Sequence, residues 1–208
     1  MKLEKADDIE LYDRALAGDE SAFTALYRRW QRSIYRFSLR MTGSASMAED
    51  IMQEVFLALI NSNAGQGFDR ALGSFASYLY GIARNHALRR LSRERFFEPI
   101  SETTGDTAGS SHEQPGAPGD PFGMLTRRET FESLHRAIAA LPLHYREVVV
   151  LCELQELSYL EVAAVVGCPE GTVRSRLHRA RVLLLEKIRD KSKDQTREPV
   201  TKPARCLS

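Results

Sequence analysis

The sequence is poor in the features that would place it in several large classes of protein. Its three cysteines, Cys152, Cys168 and Cys206, are too few and too widely spaced for a disulfide framework or a paired-cysteine zinc site. A reducing compartment fits that usage. No apolar run approaches the roughly 20 residues that a membrane-spanning helix needs. The opening MKLEKADDIE is acidic rather than basic and then apolar, so neither a secretory leader nor membrane insertion is expected. The expectation is a soluble, cytoplasmic protein. There is also no glycine-rich phosphate loop, no nucleophile with a partnered base and no metal-ligand cluster, so no enzyme, metal or cofactor is expected. What the chain does have is 43% hydrophobic residues over 208 positions, enough to bury one ordinary core or two small ones.

The formal net charge of +1 conceals an uneven distribution. Residues 84–95 carry five Arg against one Glu, and residues 172–191 carry seven Lys or Arg against two acids. Between them, residues 96–126 hold five acids and no Lys or Arg. Two basic segments thus flank an acidic one, which on helices means either solvated faces or nucleic-acid surfaces.

Residues 1–95 read as helices: a short one near Asp8 to Ala17, then Ser21 to Met41, Met47 to Ile60 and Phe75 to Arg95. Gly18-Asp19 and Gly43 separate the first three, Ser46-x-x-Glu49 reads as a capping box for the third, and Asn61 to Gly67 reads as a loop. From Phe96 to about Phe122, Gly and Pro recur with too little apolar surface to offset the entropy of ordering, so 96–125 is expected to be a flexible acidic linker. About 30 residues of coil would relax to roughly 30 Å and stretch to about 100 Å. A second helical segment covers 126–191, punctuated by Pro142, Leu157-Ser158 and Gly167-Cys168-Pro169. The expected fold is all-α, two small helical domains followed by a disordered tail over 192–208.

The sharpest local signal is SYLEVAAVVGCPEGTVRSRLHRARVLL, which has the pattern of a helix-turn-helix. Ser158-x-x-Glu161 is a capping box, Val162, Ala163, Val165 and Val166 face inward, and Gly167 can take the left-handed conformation at the turn. Pro169 suits the first position of the next helix. In that helix Val173, Leu177, Ala180 and Leu184 form the buried stripe. Arg174, Ser175, His178 and Arg179 then project from the early turns, where a recognition helix reaches base edges. Thr172, Arg176 and Arg181 are better placed for phosphates. His178 has no second ligand at helical spacing and is not read as a metal site.

The third helix, AEDIMQEVFLALI, has an apolar side of Ile51, Val55, Ala58 and Leu59 with Phe56 close by. Opposite lie Asp50, Gln53, Glu54 and Leu57 at i, i+3, i+4 and i+7, an acidic stripe ending in an exposed leucine. With these motifs in order, AEDIMQEVFLAL resembles the polymerase-binding region 2.2 of sigma-70 family factors. FDRALGSFASYLYGIARNHALRRLSR resembles their promoter-melting and minus-10 segments. LPLHYREVVVLCELQELSYLEVAAVVGCPEGTVRSRLHRAR is similar to region 4 of the extracytoplasmic-function (ECF) subgroup. The resemblance covers nearly all of the chain except the linker and tail.

It implies a non-enzymatic initiation factor that binds core RNA polymerase, with Asp50, Gln53, Glu54 and Leu57 on the beta-prime clamp helices and region 4 near the beta flap. It implies minus-35 recognition through Tyr159, Thr172, Arg174, Ser175, Arg176, His178, Arg179 and Arg181. In the first domain it places minus-10 contacts on Asp69, Arg70, Ser74, Tyr78, Asn85, Arg89, Arg90 and Arg93. The loop from Phe68 to Ser74 captures a flipped base, and Tyr78 and Tyr80 are either aromatic faces for it or core. Tyr78 stands where the subgroup commonly has Trp, and Arg89 where Asp is common. An anti-sigma partner is implied as well. Competing readings are a self-sufficient operator-binding regulator, for which no dimerisation or ligand module is visible, and a polymerase decoy, against which the intact arginine set argues.

Overall fold

The computed structural model describes residues 6–61, 67–97 and 133–195; the expectations for the linker from 98 onward, for most of the loop at 61–67, for 126–132 and for the tail from 196 onward lie outside them, whereas 96–97 and 192–195, expected in the linker and the tail, are helical. Every regular element among the described residues is helical. None of these helices is long and apolar enough to cross a membrane.

Helix α1 (Asp8–Leu16) buries Leu11 and Tyr12. The chain turns at Gly18, whose φ is +91°. Asp19 then caps α2 (Glu20–Thr42): its carboxylate accepts from the Ser21 and Ala22 amides at 3.0 and 3.1 Å and pairs with Arg14 at 2.6 Å. Gly43, left-handed at φ +76°, ends α2. Helix α3 (Ala45–Ile60) starts at once, capped by Ser44, whose hydroxyl accepts from the Met47 amide at 3.3 Å. The capping box expected at Ser46 and Glu49 is therefore not the start of this helix. Ser44 is the first extended residue after the glycine stop, and Ser46 already lies inside the helix. A short 3-10 turn (Arg70–Leu72) leads into α4 (Phe75–Phe97). Phe37, Leu26, Ile34, Ile51, Leu59 and Leu79 are all at most 1% exposed between these helices, each contributing about 1.5–3 kcal/mol of burial.

The C-terminal part holds α5 (133–139), α6 (Leu143–Val149), α7 (Tyr159–Val166) and α8 (Glu170–Gln195). Helix α6 runs straight into a π-helical turn, Val150–Leu154. The second capping box is present as the sequence predicts: the Glu161 amide donates to Ser158 Oγ at 3.3 Å, and the Ser158 amide donates to Glu161 Oε2 at 2.9 Å. Gly167 closes α7 at φ +74°.

The sequence suggests two bodies on a tether, and the structure shows them docked. Helix α4 lies against α7, with contacts from α2 to α6 and to the π turn. The Ser74 hydroxyl donates to Glu161 Oε1 at 2.5 Å and the Tyr80 hydroxyl to Gln155 Oε1 at 2.5 Å. Arg146 Nη1 donates to the Met41 carbonyl at the end of α2, at 2.6 Å. Glu147, only 3% exposed, accepts from Arg84 Nε at 2.8 Å and faces Arg176 Nη1 at 3.5 Å. One carboxylate therefore ties α4 to α8. Helical periodicity assigns each residue to a face but does not pair faces from distant segments, so this docking is invisible to pattern reading.

Candidate protein and nucleic-acid interfaces

The α3 stripe stands on the outside of the N-terminal body because the opposite side, Ile51, Val55 and Leu59, is driven into the core. Asp50 and Gln53 are exposed, Glu54 is half-buried and Leu57 is 57% exposed, with Ile60 beyond it at 49%. Arg90 bridges the acids, Nη1 to Asp50 Oδ2 and Nη2 to Glu54 Oε1, both at 2.8 Å. His86 Nδ1 lies 2.6 Å from Glu54 Oε2. Burial raises the Glu54 pKa, yet the Arg90 hydrogen bond and the charges of Arg90 and His86 together hold it below the usual carboxylate value. The side chain is thus a fixed anion. Arg90, expected in the DNA-facing row, is turned toward α3 instead. Sequence reasoning missed His86; the signal was its position one helical step of four from Arg90 on α4.

On α4, Asn85, Arg89 and Arg93 are exposed and four residues apart, so they form one open line along the helix. At its start, Asp69 spends its carboxylate on the Ala71 amide at 2.9 Å, and Arg70 lies 3.3 Å from Asp13. Gly73 has φ +146°, and a Cβ there would stand 2.9 Å from Ser77 Oγ, so the chain can enter α4 this way only without a side chain. Ser74 is engaged by Glu161 of α7. Tyr78 is half-buried beside Phe68 and Phe75, ring centroids 5.6 and 6.3 Å away. Burial, reinforced by Tyr12, pushes its hydroxyl up to about 12. Tyr80 is core: it is 3% exposed, stacked on Phe37 at 5.3 Å and edge-on to Trp30 at 6.1 Å. Of the two tyrosines, only Tyr78 is partly open to solvent.

Helix α8 turns Val173, Leu177 and Ala180 inward, none more than 2% exposed. Arg174, Ser175, His178 and Arg179 consequently all stand in solvent on the early turns. Arg174 is positioned from two sides, by Glu170 at 2.5 Å and by the Tyr159 ring, whose centroid is 5.7 Å from its guanidinium carbon. Ser175 Oγ donates to the Thr172 carbonyl at 3.0 Å. The helix begins behind a left-handed Gly167, so its N-terminal turns project beyond α7, the geometry by which such a helix enters a major groove. Two residues expected on phosphates are held by acids of their own body: Arg176 by Glu147 and Arg181 by Glu153. Cys152 and Cys168 are both half-buried. Burial raises the Cys152 thiol to about 11, which leaves it protonated.

This arrangement agrees with the comparisons. Residues 26–97 match the family model for sigma-70 region 2, and residues 131–184 match that for sigma-70 region 4. The chain belongs to the extracytoplasmic-function (ECF) group of the sigma-70 family. It is 32% identical to the ECF RNA polymerase sigma factor SigW of Bacillus subtilis, over 83% of this chain and 92% of the relative. It is 34% identical to the RNA polymerase sigma-H factor of Pseudomonas aeruginosa, over 86% and 92%, and 33% identical to the ECF RNA polymerase sigma-E factor of Escherichia coli, over 89% and 96%. Two solved structures share the fold. CnrH in complex with the cytosolic domain of CnrY is similar with a TM-score of 0.61 and 22% identity, over 88% of this chain and 97% of that one. The Bartonella quintana sigma factor RpoE in complex with the anti-sigma factor NepR is similar with a TM-score of 0.53 and 22% identity, over 76% and 91%.

Proposed function

We propose that this chain directs core RNA polymerase to promoters by presenting two separate surfaces, an acidic and apolar stripe for the enzyme and arginine faces for DNA. Asp50, Gln53, Glu54 and Leu57 meet the clamp helices of the beta-prime subunit, and the C-terminal body lies at the beta flap. Arg174, Ser175, His178 and Arg179 read the minus-35 element, with Tyr159 and Thr172 beside the backbone. Tyr78, Asn85, Arg89 and Arg93 carry the minus-10 contacts. The chain supplies recognition and helps to melt DNA; the chemistry of RNA synthesis belongs to the polymerase. It acts in the cytoplasm, with residues 1–95 and 126–191 as its two functional units. An anti-sigma protein is a further partner, by extension from the RpoE complex with NepR.

The observation that carries this reading is the bare early face of α8 on the same chain as the exposed stripe of α3. Successive turns of duplex are about 34 Å apart, and the two recognition surfaces are read as sitting one or more turns apart on the promoter. Ser74, expected among the minus-10 contacts, is hydrogen-bonded to Glu161 of the other body in the docked form. Promoter engagement therefore opens the two bodies. The stretch 98–132 has a contour of at most about 120 Å, which is sufficient.

The test is run-off transcription with the full chain, core polymerase free of other sigma factors and a promoter library. Specific transcripts that require the chain support the proposal. Tight operator binding without polymerase would favour a self-sufficient regulator, and polymerase binding without transcripts would favour a decoy.

A further inference from the structure

Helix α2 carries a charged row that none of these interfaces uses. From Ser21 to Ala48 the chain has five arginines and neither a lysine nor an acid. Arg28, Arg32, Arg36 and Arg40 stand four residues apart, so the row climbs about 6 Å per step and about 18 Å in all, drifting about 40° around the helix each time. The first three are exposed and Arg40 is half-buried.

Most other arginines on this surface are neutralised. Arg14, Arg29, Arg70, Arg84, Arg90, Arg174, Arg176 and Arg181 each pair with a carboxylate. Among the described residues, none of the four in the row does. Arg40 donates to the Arg36 carbonyl at 3.3 Å and keeps its Nε buried without a partner. Burial, and then the charge of Arg36, pulls its pKa down. Like charges four apart on a helix repel, so the fold sustains an uncompensated line of cations.

The position of the row selects its partner. Helix α2 meets α4 through Trp30 and Phe37, which stack on Tyr80, and Arg36 is near enough to act on the Tyr80 hydroxyl. The inner half of the row thus borders α4, the helix that carries Asn85, Arg89 and Arg93. Guanidinium forks match phosphate oxygens in pairs, whereas the acidic stripe proposed for the polymerase calls for basic partners.

We infer that Arg28, Arg32 and Arg36 form a second DNA-backbone track on the N-terminal body, holding promoter phosphates beside the strand that α4 reads. The inference rests on the promoter-binding reading above. At about 6 Å per step against 3.4 Å of axial rise per phosphate of one strand, a row set along the duplex axis engages about every second phosphate. Such contacts fix register and carry no base preference.

The test compares holoenzymes assembled from core polymerase and the full chain, either wild-type, R28Q/R32Q/R36Q or R28K/R32K/R36K. Promoter affinity is followed by fluorescence anisotropy across a KCl series, with circular dichroism to verify helix content. The Gln variant should lower the salt slope by about 2.7 for three duplex phosphates, or about 2.1 if the strand is melted. The Lys variant should keep the wild-type slope, and the ranking of promoters should not change. A wild-type slope in the Gln variant would overturn the inference, as would lost core-polymerase affinity with an unchanged DNA slope, which would make the row a protein contact. Absence of promoter-specific binding by the wild-type holoenzyme would instead overturn the promoter reading, and the track with it.

Discussion

Replacing Glu147 with Gln should loosen the docked arrangement, because this one carboxylate holds an arginine from each body. Its side chain is 4% exposed, against 16% for Arg84 and 29% for Arg176. At about 4 Å and an effective dielectric of about 20, a charge pair is worth about 4 kcal/mol before desolvation is subtracted. Breaking a fully buried pair costs roughly 3–5 kcal/mol. Both guanidiniums here can partly rehydrate, and Gln preserves shape and one acceptor, which lowers the expected cost to about 2–3 kcal/mol. If all of it fell on docking, that would correspond to a docking constant about 30- to 150-fold smaller. Since Arg176 shares a body with Glu147, part of the loss will fall on the C-terminal body itself. A double-mutant cycle of Glu147→Gln with Arg84→Gln isolates the part that crosses between bodies. Small-angle scattering should show a larger radius of gyration for the single variants, and urea unfolding should give a coupling energy of at least about 1 kcal/mol. An unchanged radius together with zero coupling would refute the reasoning.

Other outcomes follow from single residues. Ser158→Ala removes the hydroxyl that accepts from the Glu161 amide and should cost about 1 kcal/mol, seen as a lower urea midpoint. Burial raises the Glu161 pKa, but hydrogen bonds from Ser74, the Ser158 side chain and the Ser158 amide outweigh it and hold the carboxyl below its usual 4.5. A lowered folded value means that this contribution to stability is full above pH 4.5 and is lost as pH falls through the folded value. Docking should therefore weaken on acidification below that point, and Glu161→Gln should flatten the profile measured by scattering against pH. Arg174→Ala or Arg179→Ala should each cost about 1–3 kcal/mol of discrimination at one minus-35 position. Promoter-variant binding by the holoenzyme measures it, and uniform weakening across sequences would reassign that arginine to phosphate.

The helix-turn-helix was legible because its signals are local: the Ser158 and Glu161 capping box, Gly167 in a left-handed turn, and apolar residues of α8 at steps of four and three. The start of α3 was misread for an equally local reason. Two serines two residues apart, Ser44 and Ser46, both precede an apolar run, and only the left-handed Gly43 decides between them. What was not legible depends on contacts between distant segments. Glu147 is a lone acid in the apolar run YREVVV, yet nothing in its spacing names Arg84 as its partner. Arg90 sits in the same helix as Arg89 and Arg93, and its turn toward Asp50 and Glu54 reflects the way α3 packs on α4. The arginine row of α2 is plain in the sequence. Its lack of counter-charges is a property of the folded surface.

The most direct measurement is an anisotropy titration of the labelled full chain against core polymerase, comparing wild-type with D50K/L57D. Both side chains lie outside the core, Leu57 at 57% exposure, so helix content should be unchanged. Charge reversal in the acidic stripe, with a carboxylate in place of its apolar anchor, should weaken association at least about 100-fold. Affinity equal to that of the wild-type would contradict the assignment of α3 as the surface that grips the polymerase.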